Sequence, residues 1–258
     1  MAKEKWRIWN DDKEYGDLFY QRATGGKPEM ESSKAAAQHV KKLLKENDTI
    51  VDIGCGAGHY LLSLEKTLDK PFKYIGIDQT PYYMEMAKKA QSEKKHKTSC
   101  ISAEFKVGDI FNLDLPDNCG DIVMCNNVLL HLPSVAVPLK ELWRVTKRCL
   151  VVRTLIGETA FRIKQVLPEE DYDQDGEPLN AHYFNIYSKG YFTKVISKLE
   201  GVKDYNFEMD TNWNPKNLGS VNYDKNNNPL DLTTVVNGMQ VNNYIIEPWQ
   251  FLTLLKGR

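Results

Sequence analysis

The chain has 258 residues, with 34 Lys and Arg against 35 Asp and Glu, for a formal charge of −1. That balance excludes a broad basic field for nucleic acid, and the length suits one large domain over 1–258, carrying insertions. The sequence lacks the roughly 18–20 consecutive apolar residues of a membrane span and an N-terminal signal core, and its five scattered cysteines form no C-x-x-C pair. Together these features predict a cytoplasmic protein with reduced thiols and no membrane partner.

In chain order, Trp6, Trp9, Tyr15, Phe19 and Tyr20 mark 1–30 as a candidate lid. An amphipathic helix is expected over 31–46, with Ala36, Val40, Leu43 and Leu44 on one face. Asn47-Asp48 then turns into a short apolar strand at 49–53. Next comes Val51-Asp52-Ile53-Gly54-Cys55-Gly56-Ala57-Gly58, followed by a helix whose face is Leu61, Leu64 and Leu68. A second strand is expected at 74–78. Thr80 before Pro81 is a helix-start signal, and Tyr83, Met86, Ala87 and Ala90 form that helix's apolar face. Strands near 104–108, 121–125 and 150–155 alternate with a helix opening near 134–138. Strand–helix alternation predicts a parallel sheet of βαβ units, an α/β doubly wound fold.

From Gly157 the rhythm breaks, and 157–187 shows no clear period. A helix is expected at 188–200, capped by Ser188 and stopped by Gly201, then a strand at 202–209. Residues 211–230 are rich in Asn and Pro, Val235–Val241 carries a hairpin signal around Asn237-Gly238, and 249–255 is a closing strand. The segments 1–30, 157–187 and 211–247 are long for loops, which predicts lids over a small closed pocket.

The three alternate glycines carry the functional argument. Glycine tolerates positive φ and has no Cβ, so such a loop turns sharply and lets a ligand lie against backbone. The helix behind it offers free N–H groups. A dinucleotide loop needs glycine where His59 stands, and a Walker loop needs a closing Gly-Lys-Ser/Thr. Asp52 before the loop suits a cationic amine better than a phosphate. This Asp-x-Gly-x-Gly-x-Gly resembles the first motif of the class I S-adenosylmethionine-dependent methyltransferases. The resemblance covers 31–156 well and 188–258 in outline. It implies a Rossmann-like, seven-stranded, mostly parallel sheet whose last strand is antiparallel and inserted between the fifth and sixth. It also implies S-adenosylmethionine as cofactor.

Candidate cofactor residues follow the strand ends. Asp78 closes the second strand with Gln79 beside it, where a carboxylate can accept both ribose hydroxyls. By resemblance, Asp109 meets the adenine amine and Ile110 packs on the ring. Asn126, ending the fourth strand, is placed near the reactive methyl, as is its neighbour Asn127. His59 is a candidate for the methionine carboxylate, and Arg22 has the fork geometry for the same group. Asp52, Gly54, Gly56 and Gly58 complete the set.

Alcohol acceptors need a base, since their pKa lies far above 7. His131, after the fourth strand, and His182, in 157–187, are the two candidates. Asp171, Asp173 and Asp175 begin a calcium-loop pattern, but the position for its closing Glu holds His182, so no metal is expected. The acidic turn instead favours a polyol or a cationic acceptor. The run Ile246–Phe251 and the 157–187 segment are similar to methyltransferases of bacterial surface-polysaccharide and sugar metabolism. The leading expectation is O-methylation of a sugar or polysaccharide precursor, a small-molecule substrate. The alternatives are N-methylation of a small amine or phospho-amine, and a non-catalytic adenosylmethionine-binding subunit.

Overall fold

The computed structural model describes residues 12–94, 98–166, 172–211, 233–236, 239–242 and 249–257, the two four-residue pieces as backbone only. Trp6, Trp9, Asp171, Asn237, Gly238 and residues 246–248 lie outside the described residues.

Five parallel strands build the sheet: β1 (Asp48–Ile53), β2 (Phe72–Asp78), β3 (Cys100–Val107), β4 (Gly120–Asn126) and β5 (Thr146–Gly157). Helices α1 (Lys13–Ala23), α2 (Glu31–Lys41), α3 (His59–Thr67), α4 (Pro81–Ser92) and α5 (Ala136–Val145) lead in or connect them. Then follow β6 (Phe161–Val166), β7 (Ala181–Ser188), α6 (Lys189–Ile196) and β8 (Val202–Met209). Last come the β9 (Thr233–Val236) and β10 (Met239–Asn242) pair, and β11 (Trp249–Lys256). The strand order is β3-β2-β1-β4-β5-β11-β8. β11 runs antiparallel to both β5 and β8, inserted between them. This is the topology the family resemblance implies.

The two faces are separate cores. Val51, Ile53, Val123, Val152 and Leu252 face α5 and α6, whereas Ile50, Tyr74, Met124, Val151 and Phe251 face α2, α3 and α4. β5 is buried on both faces, which explains its unbroken apolar run. Local signals set the helix ends. Asp12 caps α1 by accepting from the Tyr15 N–H at 2.8 Å and Ser188 caps α6, but α6 ends at Ile196 and not at the expected Gly201 stop. α2 stops at Lys41, short of the expected 46.

Residues 157–187 differ from expectation. They contain a regular antiparallel hairpin, β6 with β7, paired from Phe161↔Ile186 to Val166↔Ala181. β6 is mostly exposed and alternates apolar with polar residues only over Phe161 and Ile163, so its sequence gives a weak strand signal. β7 is held from outside instead. Asn185 Nδ2 donates to the Leu132 carbonyl at 2.9 Å, and the Tyr187 hydroxyl donates to the Leu129 carbonyl at 3.2 Å. Both carbonyls belong to the segment around a 3₁₀ turn, Leu129–His131, after β4. No helix of the described residues is long and apolar enough to cross a membrane.

Candidate active site

The glycine loop joins β1 to α3 with Gly54, Gly56 and Gly58 at φ 80°, 54° and 77°. Its shape needs all three to lack side chains. A Cβ on Gly54 would lie 2.2 Å from Val128 Cγ2, and one on Gly56 would lie 2.8 Å from Phe19 Cδ2. Asp78 ties the loop to β2, its Oδ2 accepting from the Gly56 N–H and its Oδ1 from the Thr80 N–H, each at 3.0 Å. Each oxygen keeps a second lone pair for a ligand hydroxyl. Burial pushes the Asp78 carboxyl up from its usual value, against the pull of those backbone donors.

A cavity of about 290 Å³ opens outside the carboxyl ends of β1, β2 and β4. Such crevices are where open α/β sheets bind ligands. Gly54, Gly56, His59, Asp78, Gln79, Ile110, Asn126 and His131 line it, all sequence candidates. Asn126 is 6% exposed and neither of its amide atoms has a protein partner. An unmet buried amide costs roughly 1–3 kcal/mol per group, so this one is suited to a ligand.

The remaining candidates are not on the cavity wall. Asp52 lies beneath the loop, where it accepts from the Tyr74 hydroxyl at 2.7 Å. Burial raises its carboxyl to about 7, against the Tyr74 hydrogen bond, with a smaller push from Asp78. Gly58 caps α3 and packs on Phe105. Asp109 Oδ1 accepts from the Phe111 N–H at 3.0 Å, leaving Gly108 and Ile110 on the wall. Arg22 has its Nε buried without a partner, close enough for its charge to act on His59. His182 stands on β7 opposite Gln165.

His59 is buried, and burial first, then the Arg22 charge, depress its pKa to about 3. Phe19 of α1 stacks on its ring, centroids 4.1 Å apart and planes 7° apart. Helix α1 is fastened to α4 by Tyr82 Oη donating to Asp17 at 2.6 Å and Tyr83 Oη donating to the Asp12 carbonyl at 3.1 Å. Tyr15 and Phe19 thereby form one wall of the cavity.

His131 Nδ1 lies 3.0 Å from the Tyr183 carbonyl oxygen. A carbonyl only accepts, so Nδ1 carries the proton and the imidazole lone pair is on Nε2. Burial, with a smaller contribution from His182, lowers the His131 pKa despite that carbonyl. The ring is therefore neutral at pH 7 and basic at Nε2. Phe184 stands edge-on to its ring, centroids 6.2 Å apart, and Val128, Leu130, Leu132 and Trp249 line the same cavity.

The wall residues absent from the sequence reading were Met30, Tyr60, Phe184 and Trp249 above all. Tyr60 was within reach of sequence logic, since it follows His59 in the first turn of the helix behind the loop. Phe184 and Trp249 come from elements paired far along the chain, and no local pattern marks them.

Residues 44–174 match the family model described as a methyltransferase domain. The chain belongs to this methyltransferase family, whose cofactor is S-adenosylmethionine. It is similar to an uncharacterised methyltransferase of Schizosaccharomyces pombe, 32% identical over 116 residues, covering 44% of this chain and 41% of that one. It is also similar to sterol 24-C-methyltransferase erg6 of Aspergillus fumigatus, 27% identical, covering 81% of this chain and 54% of that one. The chain thus spans about half the length, or less, of these curated relatives. A crystal structure of a SAM-dependent methyltransferase from Methanosarcina mazei shares the fold with a TM-score of 0.54 at 16% identity, over 85% of this chain and 97% of that one.

The cavity fits the cofactor. Gly54 and Gly56 bring the loop backbone to the cavity wall, Asp78 offers two acceptors for a ribose, and Asn126 offers an unpaired donor and acceptor.

Proposed function

We propose that the chain is a small-molecule O-methyltransferase whose acceptor is largely apolar and presents a hydroxyl to His131. S-adenosylmethionine supplies a methyl group carried on positive sulfur. Asp78 binds the ribose, the glycine loop takes the methionine portion, and Gly108 and Ile110 bound the adenine. His131 accepts the acceptor's hydroxyl proton on Nε2 as the oxygen attacks the methyl carbon, and the sulfur leaves as a neutral thioether.

One observation carries this reading: a histidine whose tautomer is fixed by a carbonyl lines the cavity together with Leu130, Leu132, Phe184 and Trp249. That wall argues against the sugar acceptor expected from sequence. The acidic turn behind that expectation folds on itself, Asp173 Oδ1 accepting from the Asp175 and Glu177 N–H groups, and contributes nothing to the cavity lining among the described residues. A polyol in the cavity would leave hydroxyls unpaired against Leu130, Leu132 and Phe184. The sterol acceptor in the name of the Aspergillus fumigatus relative is in keeping with an apolar site.

The test is mass spectrometry for products heavier by one CH₂, across phenols and hydroquinones, sugar nucleotides and small amines. The proposal expects phenolic products. Methylation confined to sugar nucleotides or amines would refute it.

A further inference from the structure

A buried ion pair lies behind the cavity. Arg153 on β5 and Asp210 just after β8 are 6% and 5% exposed. Arg153 Nε and Nη2 each lie 2.7 Å from Asp210 Oδ2, and the guanidinium sits 4.2 Å from the Trp249 ring centroid. A buried pair is costly to desolvate and is weak evidence for stability. The use made of its remaining donor is more telling.

Arg153 Nη1 donates to Asn127 Oδ1 in a short contact. The Asn127 N–H donates back to the Arg153 carbonyl at 2.8 Å. Arg153 therefore holds Asn127 by side chain and main chain at once. The φ of Asn127 is 58°, a left-handed conformation that Asn adopts more readily than most residues with a Cβ. Its amide Nδ2 continues the chain of bonds to the Tyr60 hydroxyl at 3.2 Å, and Tyr60 donates to Ser32 at 2.9 Å.

Asn127 lines the cavity together with the residues on either side of it. Asn126 presents its unpaired amide to the cavity. Val128 packs so closely on the loop that no Cβ fits at Gly54. The turn 126–128 is thus gripped by Arg153 on one side and abuts the glycine loop on the other.

We infer that Arg153 is a positioning residue for the cofactor site, setting the left-handed turn at Asn127 that backs Gly54 and presents Asn126. This rests on the cavity being the adenosylmethionine site. Arg153 touches no ligand in this account; it acts through Asn127.

The test uses adenosylhomocysteine binding by calorimetry and melting temperature without ligand. The variants are Arg153→Met, Asn127→Gly, their double, Arg153→Met/Asp210→Asn, and Arg153→Lys. Asn127→Gly keeps the positive φ and deletes the held side chain. Arg153→Met and Asn127→Gly should each weaken binding about tenfold, the worth of one charge-assisted hydrogen bond. Their double should bind no worse than the weaker single variant, because both break one brace.

Arg153→Met/Asp210→Asn should recover melting temperature by removing the charge left behind, and should not recover affinity. Arg153→Lys keeps a cation for Asp210 without the fork, so it should fold and still bind weakly. Affinities within about twofold of wild type, factors that multiply in the double, or affinity returning together with melting temperature would each overturn the inference. Wild type that fails to bind would sink the cofactor assignment and this inference with it. Wild-type binding with unaffected variants would sink the inference alone.

Discussion

Asp78→Asn is the sharpest test of the cofactor site, because it changes charge and acceptor count with almost no change in shape. The carboxylate accepts from two backbone N–H groups on opposite sides, Gly56 and Thr80, both at 3.0 Å. An amide has one acceptor oxygen, so in either orientation its NH₂ meets one of those donors. One buried N–H is then unpaired, at about 1–3 kcal/mol of stability in the unliganded protein. The ribose hydroxyls lose their charged acceptor as well. Each bond falls from the charge-assisted range of about 1.5–3 kcal/mol toward about 1 kcal/mol. Over two hydroxyls the predicted loss is about 1–4 kcal/mol, or roughly 5- to 700-fold in affinity. Calorimetry with adenosylhomocysteine measures the second effect, and a thermal melt without ligand the first. Binding within about threefold of wild type would refute the assignment of Asp78 to the ribose.

Other predictions follow from the same geometry. His131→Gln should lower turnover by about 10²- to 10⁴-fold while leaving adenosylhomocysteine affinity unchanged, and an unchanged turnover would remove His131 as the base. Because burial lowers the His131 pKa from its ordinary 6.5, the wild-type rate should fall on acidification with its midpoint below pH 6.5; a midpoint above that point would contradict the site. Gly54→Ala places a Cβ 2.2 Å from Val128 at φ 80°, so strain and overpacking together should cost about 2–5 kcal/mol, read as a lower urea midpoint.

The pH dependence of stability has two opposed parts. His59, depressed from 6.5 to about 3, stabilises the fold above pH 6.5 and loses that contribution as pH falls toward 3. Asp52, raised from 3.8 to about 7, does the reverse: its contribution is full below pH 3.8 and is lost as pH rises through 7. Asp52→Asn removes the second part, so its melting temperature should fall more steeply on acidification from pH 7 to 4 than that of wild type. Parallel curves would show that Asp52 is not the opposing group.

Much of the cofactor half was legible because it is local. Asp52 to Gly58 is one continuous stretch, and Asp78 follows from where the second strand ends. Within that stretch Asp52 lies off the cavity wall. Period two puts Asp52 on the same face as Ile50, toward Tyr74 and α3, while Ile53 turns to the cavity. The β6–β7 hairpin was illegible for a different reason. Its register is set by carbonyls around the 3₁₀ turn through Asn185 and Tyr187, contacts spanning more than fifty residues. The Arg153–Asn127–Asp210 grouping likewise joins the body of β5 to the ends of β4 and β8, which only the completed sheet brings together.

The position of β11 has a consequence for how the molecule is made. Hydrogen-bonded to β5 on one side and β8 on the other, residues 249–256 form an interior strand of the sheet. During synthesis β5 is complete about a hundred residues before its neighbour appears, and until then it presents an apolar, unpaired edge. Such late, sequence-distant pairing slows folding. A nascent chain halted before residue 249 would therefore hold the glycine loop and Asp78 but lack the strand that seals β5, Trp249 included. It should be captured by chaperones that bind exposed strand edges, and should be released only once the last strand has been inserted.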